Sequence, residues 1–296
     1  MKDRFAAYHP VINFVFFIGA LVCGMILMHP AFLLCSLLLS MSYYLTVRRG
    51  AGMKFVSGML MLFLVLSLMN PLFNTQGETV LFTYFGGRPY TTEALLYGMA
   101  LAAMMVSILS WFASYNAVMT SDKFLYLFGK MAPSVTLVLT MVLRLVPSYK
   151  QKILQMNGAR RCIGKAADHG KKSEKAENGM VIISALTSWA LEGGVITADS
   201  MRSRGYGCGK RSTFSLYRFE GRDRMMLAAM VVFLGTVLFC CVKGAASVTY
   251  TPQFCAGGIK NPYLLAGLAS YFAFLLIPTA VNIWEEIRWH SLKSKI

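Results

Sequence analysis

Val11–Met28 (VINFVFFIGALVCGMILM) and Ala31–Val47 (AFLLCSLLLSMSYYLTV) are parted only by His29-Pro30. Neither run holds an Asp, Glu, Lys or Arg, and each is close to the roughly 20 residues that a helix needs to cross a bilayer. A His-Pro pair between two such runs reads as the turn of a membrane hairpin. Four more stretches have the same character: Phe55–Met69, Ala94–Ala117, Met225–Val242 and Tyr263–Ile283. Asn70-Pro71 reads as the end of the third, because proline disfavours helix for the residue before it. Composition agrees, with 56% hydrophobic and 14% charged residues, where soluble domains carry about 25% charged. The N-terminal Met1-Lys2-Asp3-Arg4 precedes an apolar run without a small-residue cleavage site, so that run reads as a retained span.

The charge gives the expected orientation. A formal charge of +16 could suggest nucleic acid, but Lys and Arg collect in the cytoplasmic loops of membrane proteins. All but three of the 29 basic residues fall on one side of a six-span map, the exceptions being Arg88, Lys243 and Lys260. The map therefore puts both termini and segment 118–224 in the cytoplasm and leaves no call for a nucleic-acid partner. Two apolar stretches of that segment, Ala132–Val146 and Gly179–Leu191, are short for spans. If both crossed, the basic connection 147–178 would be translocated, against the bias seen elsewhere. They read as cytoplasmic or interfacial helices. The fold class is an all-α integral membrane protein of about six transmembrane helices plus a cytoplasmic helical domain. Residues 1–117 form four spans, 118–224 the cytoplasmic domain, and 225–296 a membrane hairpin with a cytoplasmic tail.

Within 118–224, Pro133 suits a helix first turn. Val146, Tyr149, Ile153 and Met156 recur at helical spacing, and that helix reads as ending at Asn157-Gly158-Ala159-Arg160-Arg161. Residues 163–178 read as a mobile linker. A second helix runs from about Met180 to Arg202 and stops at Arg204-Gly205-Tyr206-Gly207, since glycine past a helix end takes positive φ without strain. Arginines at both ends suit the negative pole of the helix dipole. Asp199 and Arg202 are spaced for a local pair, and Glu192 lies two turns from Asp199 on about the same face.

Several functions are excluded. Gly205–Ser212 (GYGCGKRS) resembles a phosphate loop, but Lys210 is followed by Arg211, position 204 is Arg, and no strand precedes it. The seven cysteines show no Cys-x-x-Cys pair and read as small buried hydrophobes. His9, His29, His169 and His290 lack metal-ligand spacing, and no nucleophile–base arrangement stands out. The chain thus reads as non-catalytic, with no metal or cofactor of its own. The spans contain no Asp, Glu, Lys, Arg or His; the nearest carboxylate, Glu93, sits just before the fourth. Ion-coupled transporters usually place such groups in mid-membrane, which leaves a membrane scaffold or secondary transporter as the weaker alternative to a protein driven from the cytoplasm.

The stretch Thr197-Ala198-Asp199-Ser200-Met201-Arg202-Ser203-Arg204-Gly205-Tyr206-Gly207 resembles the signature of the transmembrane T component of energy-coupling factor (ECF) transporters. Asn70-Pro71-Leu72-Phe73-Asn74, Trp189-Ala190-Leu191-Glu192, and Arg144 with Pro147 match further parts in the family's order. The resemblance implies two cytoplasmic ATP-binding-cassette (ABC) ATPases that bind the ATP, and a small membrane S component that captures a vitamin or metal ion, all in a prokaryotic cell membrane. It also implies that two Ala-Arg-Gly-like motifs at helix ends dock into the ATPases. The second reads Ser203-Arg204-Gly205, and the first reads Ala159-Arg160-Arg161, with arginine where the family has glycine. The docking residues are thus Arg204 and Arg160, supported by Ala159, Arg161, Ser203 and Gly205, with Arg160 or Arg161 making the first contact.

Overall fold

The computed structural model describes residues 4–48, 52–75, 77, 79–84, 88–129, 131–167, 171–209, 217–244, 247–250, 255–256 and 262–293. Nine α-helices account for most of them: α1 (Pro10–Ile26), α2 (Pro30–Val47), α3 (Gly52–Phe73), α4 (Thr92–Val118), α5 (Ser121–Phe128), α6 (Pro133–Cys162), α7 (Lys172–Ser203), α8 (Gly221–Val242) and α9 (Pro262–Lys293). Two antiparallel pairs were not anticipated: β1 (Val80–Tyr84) with β2 (Arg88–Thr91), and β3 (Val248–Thr249) with β4 (Cys255–Ala256). The first follows from the run of Val80, Phe82, Thr83 and Tyr84 before Gly86-Gly87, an arrangement that favours a hairpin.

The chain divides into two compact units, Met1–Phe124 together with Tyr217–Ile296, and Leu125–Leu216. In the first unit, α4 packs on α1, α2 and α3, while α8 and α9 pair and α9 also meets α2. The core is aromatic. Phe16, Phe17, Tyr43 and Trp111 are almost fully buried, with Trp111 5.5 Å from Phe16 and 6.1 Å from Tyr43, ring to ring. Trp111 Nε1 donates to Ser36 Oγ at 3.2 Å, so the one polar atom of this large ring is satisfied.

Both His-Pro pairs start helices. His9 Nδ1 accepts from the Val11 N–H and His29 Nδ1 from the Ala31 N–H, so each imidazole caps the helix whose N1 residue is proline. The buried Lys123 donates to the Ala6 and Val118 carbonyls at 2.6 and 3.0 Å, tying the N-terminal turn to the end of α4. At the other end of α4, Glu93 accepts from the Thr79 N–H and hydroxyl, which anchors the start of β1.

Asn70-Pro71 does not end α3, which continues to Phe73 with Pro71 inside it. Proline cannot donate to the Ser67 carbonyl, and there α4 comes close. A Cβ on Gly98 would stand 2.9 Å from Ser67 O and 2.7 Å from Asn70 Cβ. Gly98 therefore admits α3 against α4 at the turn that proline weakens.

Among the described residues, six helices are long and apolar enough to cross a membrane: α2, α3, α4, α7, α8 and α9, the last over Pro262–Trp289. The set differs from the sequence-based one at two places. The first run forms a helix of only 17 residues, Pro10–Ile26, because His9 caps its start and His29 caps the helix that follows. Gly179–Leu191, expected in the cytoplasm or at the interface within a helix from about Met180 to Arg202, lies in the middle of the 32-residue α7, which already begins at Lys172 and is long enough for a span.

Candidate docking site at two helix ends

The second unit consists mainly of α6 and α7 and buries little. Among its described residues only Ala166 and Ile182 are buried, and α6 has none. The two helices meet where Trp189 of α7 packs edge-on to Tyr149 at 5.6 Å, with Lys152 Nζ 5.4 Å from the same ring. Trp189 belongs to one of the stretches that carried the family resemblance, and here it holds the helix pair together. Beyond that contact the helices present apolar residues outward, among them Val135, Leu139, Val142 and Val146 on α6, and Ile183, Leu191 and Val195 on α7.

The two ends share one backbone solution. On α7, Gly205 has φ +79°, its N–H donates to the Arg202 carbonyl at 3.0 Å, and the Tyr206 N–H donates to Met201 at 3.1 Å. On α6, Gly164 has φ +72°, its N–H donates to Arg161 at 3.1 Å, and the Lys165 N–H donates to Arg160 at 3.0 Å. Each is a Schellman cap, a glycine just past the helix closing the last carbonyls. The helix therefore does not stop at Arg161 but runs to Cys162, with Gly158 inside it. In this shared frame Arg204, beside its glycine, corresponds to Ile163. Arg202 corresponds to Arg161, and Met201 to Arg160.

The arginines differ in what they touch. Arg204 is exposed, and among the described residues its guanidinium has no hydrogen bond or ion pair. Arg161 is exposed as well. Arg160 is half-buried, and its Nη2 donates to Asn178 Oδ1 at 2.9 Å and its Nε to the Lys165 carbonyl at 3.1 Å. Ala159, Ser203 and Gly205 are exposed around these ends, and a Cβ on Gly205 would meet nothing within 4 Å. The Gly205 requirement is thus one of backbone conformation.

Other expectations fare differently. Residues 163–178 are not one linker: α7 begins at Lys172, started by the Lys171 N–H donating to Glu174, and side chains hold residues 165–167. No ion pair joins Asp199 to Arg202, and Glu192 and Asp199 are exposed. The cysteines divide: Cys23 and Cys240 are buried, but Cys162 and Cys208 are exposed beside the two helix ends. Among the described residues no group of His, Cys, Asp or Glu is placed to hold a metal. His169 and residues 210–212 of the GYGCGKRS stretch lie outside the described residues.

An all-α chain with this many apolar helices is a multi-pass membrane protein. The cobalt transport protein (CbiQ) family matches residues 5–215, and the chain belongs to that family, which is the family of ECF transporter T components. No curated protein matches the chain.

Proposed function

We propose that this chain is the transmembrane coupling subunit of an ATP-driven importer of the ECF type, and that it hydrolyses no ATP itself. The supporting observation is the pair of helix ends: α6 and α7 belong to one unit and finish in the same glycine cap with guanidinium groups around it. Arg160 or Arg161 at one end, and Arg204 at the other, dock into two ABC ATPases. Each ATPase offers acidic or carbonyl acceptors that a forked guanidinium can grip. Closure of the ATPases on ATP displaces the two helices. Rigid helices pass that displacement to an S component in the membrane, because packed elements shift between arrangements rather than deform smoothly.

The cargo is a vitamin or a metal ion captured by the S component, cobalt being the family's namesake. In this reading both termini and the helix ends face the cytoplasm of a prokaryotic cell. The basic residues of 147–178, from Lys150 to Lys175, keep α6 and α7 cytoplasmic or at the interface, although α7 has the length of a span.

The exposed thiols test the orientation. In intact cells carrying Cys255→Ser, an impermeant maleimide is expected to leave Cys162 and Cys208 unlabelled, and to label both in inverted vesicles. Labelling in intact cells contradicts the map. The assembly is tested by purifying the tagged chain in detergent. Two ABC ATPases and a small membrane protein are expected to co-purify, and ATP turnover is expected only from the complex. A lone stable protein favours a scaffold or an independent transporter.

A further inference from the structure

The turn after α6 is held by side chains as well as by its cap. Three consecutive residues each give one backbone group to a different side chain. The Lys165 carbonyl accepts from Arg160 Nε at 3.1 Å, the Ala166 carbonyl accepts from Asn178 Nδ2 at 3.4 Å, and the Ala167 N–H donates to Asn157 Oδ1 at 2.9 Å. Arg160 Nη2 donates to Asn178 Oδ1 at 2.9 Å and closes the set across 18 residues of sequence. Ala166, at the centre of this clasp, is 1% exposed in a unit that buries almost nothing else.

Arg160 is committed to the turn, and burial divides it from Arg161. The Nε/Nη2 edge, with which a guanidinium grips a carboxylate in bidentate fashion, is occupied by Lys165 O and Asn178 Oδ1. The cap frame gives the same division independently. Arg160 and its counterpart Met201 are both half-buried, whereas Arg161 and its counterpart Arg202 are both exposed.

We propose that Arg160 is a positioning residue. It fixes the turn after α6 through Lys165 and Asn178, and so holds the exposed Arg161 in the attitude in which that residue meets the ATPase. The docking half of this inference rests on the coupling function proposed above. The clasp itself does not.

Asn178 provides the test, because it lies on α7 away from both helix ends. The isolated subunit in detergent is digested with an endoprotease that cuts only after lysine, and cleavage after Lys165 is followed by mass spectrometry. Asn178→Ala and Arg160→Ala are each expected to speed that cut about tenfold, the scale of a lost charge-assisted hydrogen bond. Titration with the co-purifying ATPases is expected to show the midpoint displaced about tenfold in both variants, with the plateau of ATP turnover unchanged. The double variant is expected to fall short of the product of the two single effects, since the changes share the Arg160–Asn178 contact. Asn178→Asp retains the acceptor for Arg160 and is expected to stay within about threefold of wild type.

Unchanged cleavage in both alanine variants overturns the clasp. Weakened ATPase binding in Arg160→Ala beside unaltered binding in Asn178→Ala overturns the positioning role and makes Arg160 a direct contact. A wild-type subunit that binds no ATPase overturns the coupling function and the docking half of the proposal, and the cleavage rates then decide the clasp alone.

Discussion

Around Trp111 the membrane unit closes a knot of rings in which Phe16, Phe17 and Tyr43 have essentially no exposed surface. Between α6 and α7 the described residues offer one ring pair, Tyr149 on Trp189, and a polar clasp at one end. The first region takes its shape from its own packed interior, as close-packed cores do. The second has little interior, so its shape rests on a few pins and on whatever covers its apolar flanks. Segments with few buried contacts open and shift at low cost. In the coupling role proposed above, α6 and α7 move as whole helices and the unit around Trp111 keeps its shape.

The contrast can be broken by substitution. Trp111→Ala removes the central ring and leaves Ser36 without its donor, and is expected to destabilise the membrane unit by about 3–5 kcal/mol. Thermal unfolding in detergent reads this directly, and an unshifted midpoint would mean that the aromatic knot is not a core. Arg204→Ala is expected to leave that midpoint alone and to weaken ATPase binding by about 2–5 kcal/mol, the cost of truncating one partner of a desolvated charged pair. That is roughly thirtyfold or more in affinity, measured by ATPase titration.

Smaller effects sharpen the comparison within the second unit. Tyr149→Ala removes the ring that meets Trp189 and is expected to cost about 0.5–1.5 kcal/mol in the pairing of α6 and α7. Amide exchange in the two helices would register it, and unchanged protection would show that the pair is held elsewhere. Leu191→Ala, on an exposed face, is expected to alter the stability of the isolated subunit by less than about 0.5 kcal/mol. A larger loss would show that this flank is covered within the chain.

The membrane segments were legible because an apolar run needs no knowledge of its partners. Ala31–Val47 and Met225–Val242 differ from α2 and α8 only at their starts. What escaped depends on contacts distant in sequence. Pro71 looked like a stop, but Gly98 on another helix lets α3 pass through it. The hairpin of β1 and β2 lies between two spans, and the alternation of Val80, Phe82 and Tyr84 is too short to stand out beside the apolar runs that flank it. At the candidate site, the glycines after both helices carry a local signal, and Gly205 is legible in the sequence as a terminator. Gly164 is not, because Gly158, which α6 carries inside it, offers an earlier stop beside Arg160 and Arg161. The contact of Arg160 with Asn178 spans 18 residues and leaves no pattern in either segment.

The central claim is that the two helix ends are the handles by which ATPases move this subunit. The most direct measurement is ATPase co-purification and substrate uptake by the Arg160→Glu/Arg204→Glu variant, with thermal unfolding as the check on the membrane fold. The double change removes the clasp at one end and places a negative charge at the other, where the coupling role proposed above puts the partner's acceptors. Loss of both ATPases and of uptake, with the unfolding midpoint unshifted, is the expected result. Normal assembly and uptake in that variant would contradict the claim.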